Sequence, residues 1–311
     1  MMANKRLIAK LILFCSLLSI PVGLPAEKAS PVRVPFAQER KKIIIPTTVN
    51  NSKPLNLILD TGMRYDGVIL FHKEFAELID TSGAIDVRVP GAGDSQASTN
   101  IMVENAVIGF GEMSQDSQRV VISTSDYTQD FPTDGIIGWN LFGHFAVEIN
   151  YDSNLIYLHD TPDFKPDSTW TEAPVKMIDN LPYINVELEV VPGEILQMDL
   201  YVDLASDKAL ELLMSDKQRF SMPQASQKVY IGTGLSGDFY GYNGHSHRLK
   251  IFANNLYFVP TVFMPAETRS KQEGAEGILG NDAIRRFNII FDYSHSKVYI
   301  KTNNNTFLSF E

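Results

Sequence analysis

Hydrophobic positions in this chain fall in short runs broken by glycine, proline and asparagine, a spacing that suits strands better than helices. Residues 41–49, rich in Ile and Thr, predict a strand, with Pro46 placing it at an edge or a bulge. Asn50-Asn-Ser-Lys-Pro54 predicts a turn and residues 55–60 the returning strand. That strand ends abruptly: the apolar run Leu57-Ile-Leu59 gives way to Asp60, Thr61 and Gly62. Residues 69–79 carry a helical patch, with Phe71, Phe75 and Leu78 on one side. Residues 87–98 predict a hairpin whose tip is Pro90-Gly-Ala-Gly93, and 103–109 and 119–123 predict further strands. Then come Asp134-Gly-Ile-Ile-Gly138, a short helical stretch to about Gly143, and a hairpin over 145–158 with its turn at Asp152-Ser-Asn154. Residues 27–40 are polar and predict an exposed lead-in. The polar, Pro-bearing stretch 160–173 predicts a linker.

After the linker the pattern starts again. Residues 183–190 and 195–203 predict a second hairpin, 209–214 a helical patch, and Val229-Tyr-Ile-Gly-Thr-Gly234 a second glycine-rich hairpin. Glu276-Gly-Ile-Leu-Gly280 repeats Asp134-Gly-Ile-Ile-Gly138 at an offset of 142. Phe287, Tyr293 and Tyr299 repeat Phe145, Tyr151 and Tyr157 at that same offset of 142, and Asp203 follows Asp60 at 143. This order predicts two copies of one all-β unit of roughly 110–120 residues, an ordinary small-domain size. The first copy occupies 27–159 and the second 174–311.

An apolar run into Asp-Thr-Gly, a glycine-bearing flap, Gly-Ile-Ile-Gly and a closing Phe-x-Val-x-Ile-x-Tyr hairpin resemble the retropepsin-like aspartic protease unit. The chain closely resembles the bacterial exported group that carries two such units, and the likeness covers about residues 41–301. It implies two β-barrel lobes in pseudo-twofold arrangement, the acid protease fold, with a cleft between them. It also implies an aspartic endopeptidase in which Asp60 and Asp203 hold a water. Close carboxylates cannot both ionise, so the pair shares one proton. One member takes a proton from the water and the other donates to the scissile carbonyl. Thr61 bonds across to the other lobe, and Gly62 admits close backbone approach or a positive φ. Gly135, Gly138, Gly277 and Gly280 belong to the strands beside the acid loops, and Gly91, Gly93, Gly232 and Gly234 to the flaps. With both halves in one chain, a monomer acting on peptide or protein is implied, with no cofactor.

The second unit departs from the pattern. Leu204-Ala205-Ser206 stands where the family has Thr-Gly-(Ala/Ser), so Leu204 brings no hydroxyl and Ala205 no glycine freedom. Asp199 and Asp207 are nearby acids with poorer offsets, 139 and 147 from Asp60. An alternative therefore stays open: a protein of the same fold that binds peptide or another ligand without turning it over.

Other motifs carry less. Gly232-Thr-Gly-Leu-Ser-Gly237 matches a dinucleotide fingerprint by letter but is not followed by a helix pattern, so it reads as a flap. His245 and His247 lack a matching third ligand, so no metal site is read. Asp134 and Glu276 read as turn residues, and Met222, Phe239, Tyr240 and Tyr242 as groove or core.

Charge and the N-terminus set the context. Lys5, Arg6 and Lys10 precede the apolar run Leu11–Ile20, with Pro21 and Ala26 behind it, which reads as a signal peptide over 1–26. An uncleaved anchor is the competing reading, although the run is short for a membrane span. The net charge of −10 becomes −13 over 27–311, with 24 basic against 37 acidic residues, which argues against nucleic acid as a partner. The one cysteine, Cys15, lies within the apolar run behind Phe14, where a lipoprotein signal wants a small residue. A processed chain would have no cysteine, no disulfide and no stable membrane insertion, and fits a bacterial periplasm or outer surface.

Overall fold

The computed structural model describes residues 30–89, 98–224, 227–265 and 276–310. The signal segment 1–26, with Cys15, and the first glycine-rich tip, with Gly91 and Gly93, lie outside the described residues.

Two eight-stranded sheets repeat one topology. The first runs Ala37–Glu39, Lys42–Val49, Leu55–Leu59, Gly135–Ile137, Val68–Leu70, Met113–Ser123, Ser98–Phe110, Ile85–Val89. The second runs Lys176–Ile178, Leu181–Glu189, Ile195–Asp203, Gly277–Gly280, Leu210–Met214, Asn254–Pro265, Gly237–Ile251, Gln227–Gly234. Each closes on itself through one further pairing, Lys42–Val49 with Ser98–Phe110 and Leu181–Glu189 with Gly237–Ile251. Closure makes a barrel of the six inner strands, so that only the outer strands of each sheet keep a free edge.

A six-stranded sheet joins the lobes, in the order Val32–Pro35, Leu155–Asp160, Phe145–Asn150, Phe287–Asp292, Lys297–Thr302, Thr171–Pro174. The two repeated hairpins meet at its centre, with Val147 opposite Phe291 and Ile149 opposite Ile289. All four of these side chains are buried, so the junction is apolar. Polar contacts reinforce it. The buried Tyr151 hydroxyl donates to Asn281 Oδ1 at 2.6 Å, Asn281 Nδ2 donates to the Lys41 carbonyl at 2.7 Å, and Lys41 Nζ meets buried Asp282 at 2.8 Å.

Several local expectations need correction. Residues 32–39 are strands rather than an exposed lead-in: Val32–Pro35 pairs with residues 155–158, and Val34 is fully buried. Residues 210–214 form a strand, not a helix, because this apolar run lies between Asn254–Pro265 and Gly277–Gly280. A run that short looks alike in either conformation when both faces are covered. Residues 69–79 likewise divide into the strand Val68–Leu70 and a 3-10 turn over Lys73–Leu78. Pro46 sits where its strand changes partner, between the pairing that ends at Ile44 and the one that begins at Thr47. Its missing N–H therefore costs no ladder bond on that side.

Candidate active site

The strand Leu55–Leu59 lies between Lys42–Val49 and the parallel Gly135–Ile137. Leu57 and Leu59 are fully buried, which fixes where the strand stops. The ladder continues one residue further, with Asp60 N donating to the Ile137 carbonyl at 2.8 Å. The chain then folds back: Met63 N donates to the Asp60 carbonyl at 3.3 Å and Gly62 N to Asp60 Oδ1 at 2.6 Å. In the second lobe Asp203 ends the strand Ile195–Asp203 and pairs in parallel with Gly280. Its Oδ1 accepts from Ala205 N at 2.9 Å and Ser206 N at 3.1 Å. Backbone amides thus orient both carboxylates, and both line a cleft of about 1230 Å³.

Thr61 ties the two acid loops together. It is 1% exposed, and its hydroxyl donates to the Val202 carbonyl at 2.6 Å and accepts from Leu204 N at 3.1 Å. Those two groups flank Asp203, so one side chain next to Asp60 grips the backbone on both sides of Asp203. The leucine at 204 brings no hydroxyl for a reciprocal bond, but its amide still receives the one from the first lobe.

Glycine at 62 is required by contact rather than by torsion. A Cβ there would come within 2.7 Å of the Tyr201 hydroxyl and 2.9 Å of Asp60 Oδ1, and Gly62 has no positive φ. Ala205 has none either. The second loop therefore does not need the backbone freedom whose absence the sequence flagged. Gly138 is the tightest point: a Cβ would lie 1.9 Å from the Asp60 carbonyl oxygen. Gly135 also abuts backbone of its own lobe, and Gly277 and Gly280 occupy the matched places in the second. Gly138→Ala is expected to lower stability by about 3 kcal/mol or more, because the contact is backbone and cannot yield by a rotamer change. The urea unfolding midpoint checks this.

Under the first loop Tyr293 is buried against Trp139 and stacks on Phe142 at 5.5 Å. Burial, with the Asp60 charge as the second cause, pushes its hydroxyl pKa well above the ordinary tyrosine value. Tyr65, on the cleft wall, is also raised, chiefly by burial. Both phenols stay protonated over the working range, so neither adds a negative charge beside the acids.

Both lobes bring apolar and charged side chains to the cleft: Ile44, Ile58, Phe71, Arg64 and Arg88 among those of the first, and Tyr201, Ile231, Asp207, Lys208 and Glu211 among those of the second. Gly232 and Gly234 line it from the hairpin of Gln227–Gly234 and Gly237–Ile251, so this glycine-rich stretch is strand and turn, not a dinucleotide loop. Phe239 also lines it, whereas Met222, Tyr240 and Tyr242 do not. Asp134 and Glu276 are outside it: Asp134 Oδ2 accepts from Asn56 N at 2.6 Å, and Glu276 pairs with Arg219 at 2.6 and 2.7 Å. Asp199 bonds Asn185 at 2.8 Å, while Asp207 reaches the cleft edge beside Lys208. The His245 ring is against Phe258, and His247 donates its backbone amide to the Val190 carbonyl. No group of three metal-ligating side chains occurs among the described residues. Sequence reading missed Tyr201, Ser206 and Glu211; the offset of 142 to 143 held the signal, since it sets them against Ile58, Met63 and Ile69.

No family model matches the chain, and no curated protein matches it. Among solved structures it is similar to the crystal structure of an aspartic proteinase from Irpex lacteus, with a TM-score of 0.59 and 14% identity over 89% of this chain and 98% of that one. At that identity the likeness speaks to fold. Together with the repeated, closed sheets, it shows that this chain has the two-lobed acid protease fold.

Proposed function

We propose that this chain is an exported aspartic endopeptidase that works as a monomer. The observation that carries the reading is the Thr61 hydroxyl bonded on both sides of Asp203 while its neighbour Asp60 opens into the same cleft. A water held between the two carboxylates would lose a proton to one. The other, protonated, would donate to the carbonyl oxygen of the bond being cleaved. Extended peptide would lie under the hairpin that carries Gly232 and Gly234, held by strand-like backbone bonding. The amide donors on Asp203 support competence of the second loop despite its Leu204-Ala205. A processed N-terminus and a periplasmic or extracellular site belong to the same reading.

The test is digestion of unfolded protein by residues 27–311 in water enriched in oxygen-18, read by mass spectrometry. The expected result is new C-termini carrying one heavy oxygen after a single cleavage. Peptide that binds but yields no new termini would overturn the endopeptidase reading and leave a binding protein of this fold.

A further inference from the structure

We propose that Glu211 is a positioning residue which, through Ser206, holds the second acid loop in the shape that the first lobe reaches by other means; this rests on the endopeptidase reading. Besides Leu204 and Ala205, the two lobes differ at two further matched positions near the acid loops. In the first, Met63 follows Asp60 by three residues and packs in an apolar cluster with Ile69. In the second, Ser206 follows Asp203 by three, and Glu211 takes the place of Ile69. The registers confirm that equivalence: Ile69 pairs with Ile136, and Glu211 pairs with Ile278.

The apolar pair has thus become a hydrogen-bonded one. The Ser206 hydroxyl donates to Glu211 Oε1 at 2.5 Å, with Ser206 8% and Glu211 2% exposed. The same serine donates its amide to Asp203 Oδ1 at 3.1 Å, and its hydroxyl accepts from Lys208 N at 3.2 Å. Its carbonyl accepts from Asn281 N at 3.0 Å, at the end of the Gly277–Gly280 strand. The Ser206 backbone thus joins the carboxylate of Asp203 to the neighbouring strand, and its hydroxyl, bonded to Glu211 and Lys208 N, anchors that backbone in place. A buried carboxylate is costly in an apolar setting and is kept where its bonds hold something in place. Thr61 holds the second loop from the first lobe; Glu211, through the Ser206 hydroxyl, holds it from within its own lobe.

Steady-state kinetics on a cleaved peptide test this. Glu211→Ile, which installs the first lobe's residue, is expected to lower kcat by on the order of ten- to hundredfold, with KM within about twofold. Glu211→Gln keeps an acceptor for the serine hydroxyl and is expected to recover most of that loss. Ser206→Ala removes the link with little change of volume and should reproduce the Glu211→Ile defect, which keeps the test open if Glu211→Ile does not fold. A folded Glu211→Ile or Ser206→Ala with wild-type kcat, or a change confined to KM, overturns the inference. Absence of cleavage by the unaltered chain would instead sink the endopeptidase reading on which it rests.

Discussion

Replacing Asp60 or Asp203 by asparagine is expected to abolish peptide hydrolysis, each lowering kcat/KM by about 10³-fold or more while leaving the fold intact. A carboxylate pair supplies one base and one acid, and asparagine can be neither, so proton transfer to and from the reacting groups is lost. The change is isosteric, and each side-chain oxygen can still accept its backbone amides: Gly62 N in the first loop, Ala205 N and Ser206 N in the second. Thermal unfolding should therefore shift by only a few degrees. Far-ultraviolet circular dichroism, read beside the peptide assay, separates lost chemistry from lost structure.

Thr61→Val is expected to have the second largest effect, and it acts on stability and rate together. Valine keeps the shape but removes the hydroxyl that serves the Val202 carbonyl and the Leu204 amide. Both backbone groups lie in a buried interface between the loops, so each would be left without its partner. At about 1–3 kcal/mol for each of the two orphaned groups the loss comes to about 2–6 kcal/mol. The acid loops would then be free to separate, and a displacement of about 1 Å at such a site costs roughly a hundredfold in rate. Thr61→Ser should retain both bonds and most of the activity. Urea midpoints and kcat for the two variants check the prediction; a Thr61→Val protein with unchanged midpoint would contradict the grip described here.

Much of this was legible in the chain because the repeat is long and ordered. Asp60 stood out where an apolar run met Thr-Gly, and the offset of 142 to 143 then pointed to Asp203, with the second Gly-Ile-Leu-Gly beside it. What stayed hidden depended on partners far away in sequence. Residues 32–35 read as loop because their pairing partners are residues 155–158. Residues 210–214 read as helix because a doubly covered strand has no alternation to show. Leu204 looked like damage because a motif is read along the chain, whereas its amide is served across the cleft by Thr61. The glycine at 62 was legible as a need but not as a reason, since the cause is the Tyr201 hydroxyl from the other lobe. The offset of 142 already matched Glu211 to Ile69, but only the fold, in which its carboxylate takes the Ser206 hydroxyl, marks it as a site residue.

The central claim is that Asp60 and Asp203 act as one unit, and a double-mutant cycle on kcat/KM tests it most directly. Groups that share a proton and a water fail together, so the double variant Asp60→Asn/Asp203→Asn should be no slower than either single variant. Losses that multiply in the double variant, or an Asp203→Asn protein that cleaves at the wild-type rate, would contradict the account.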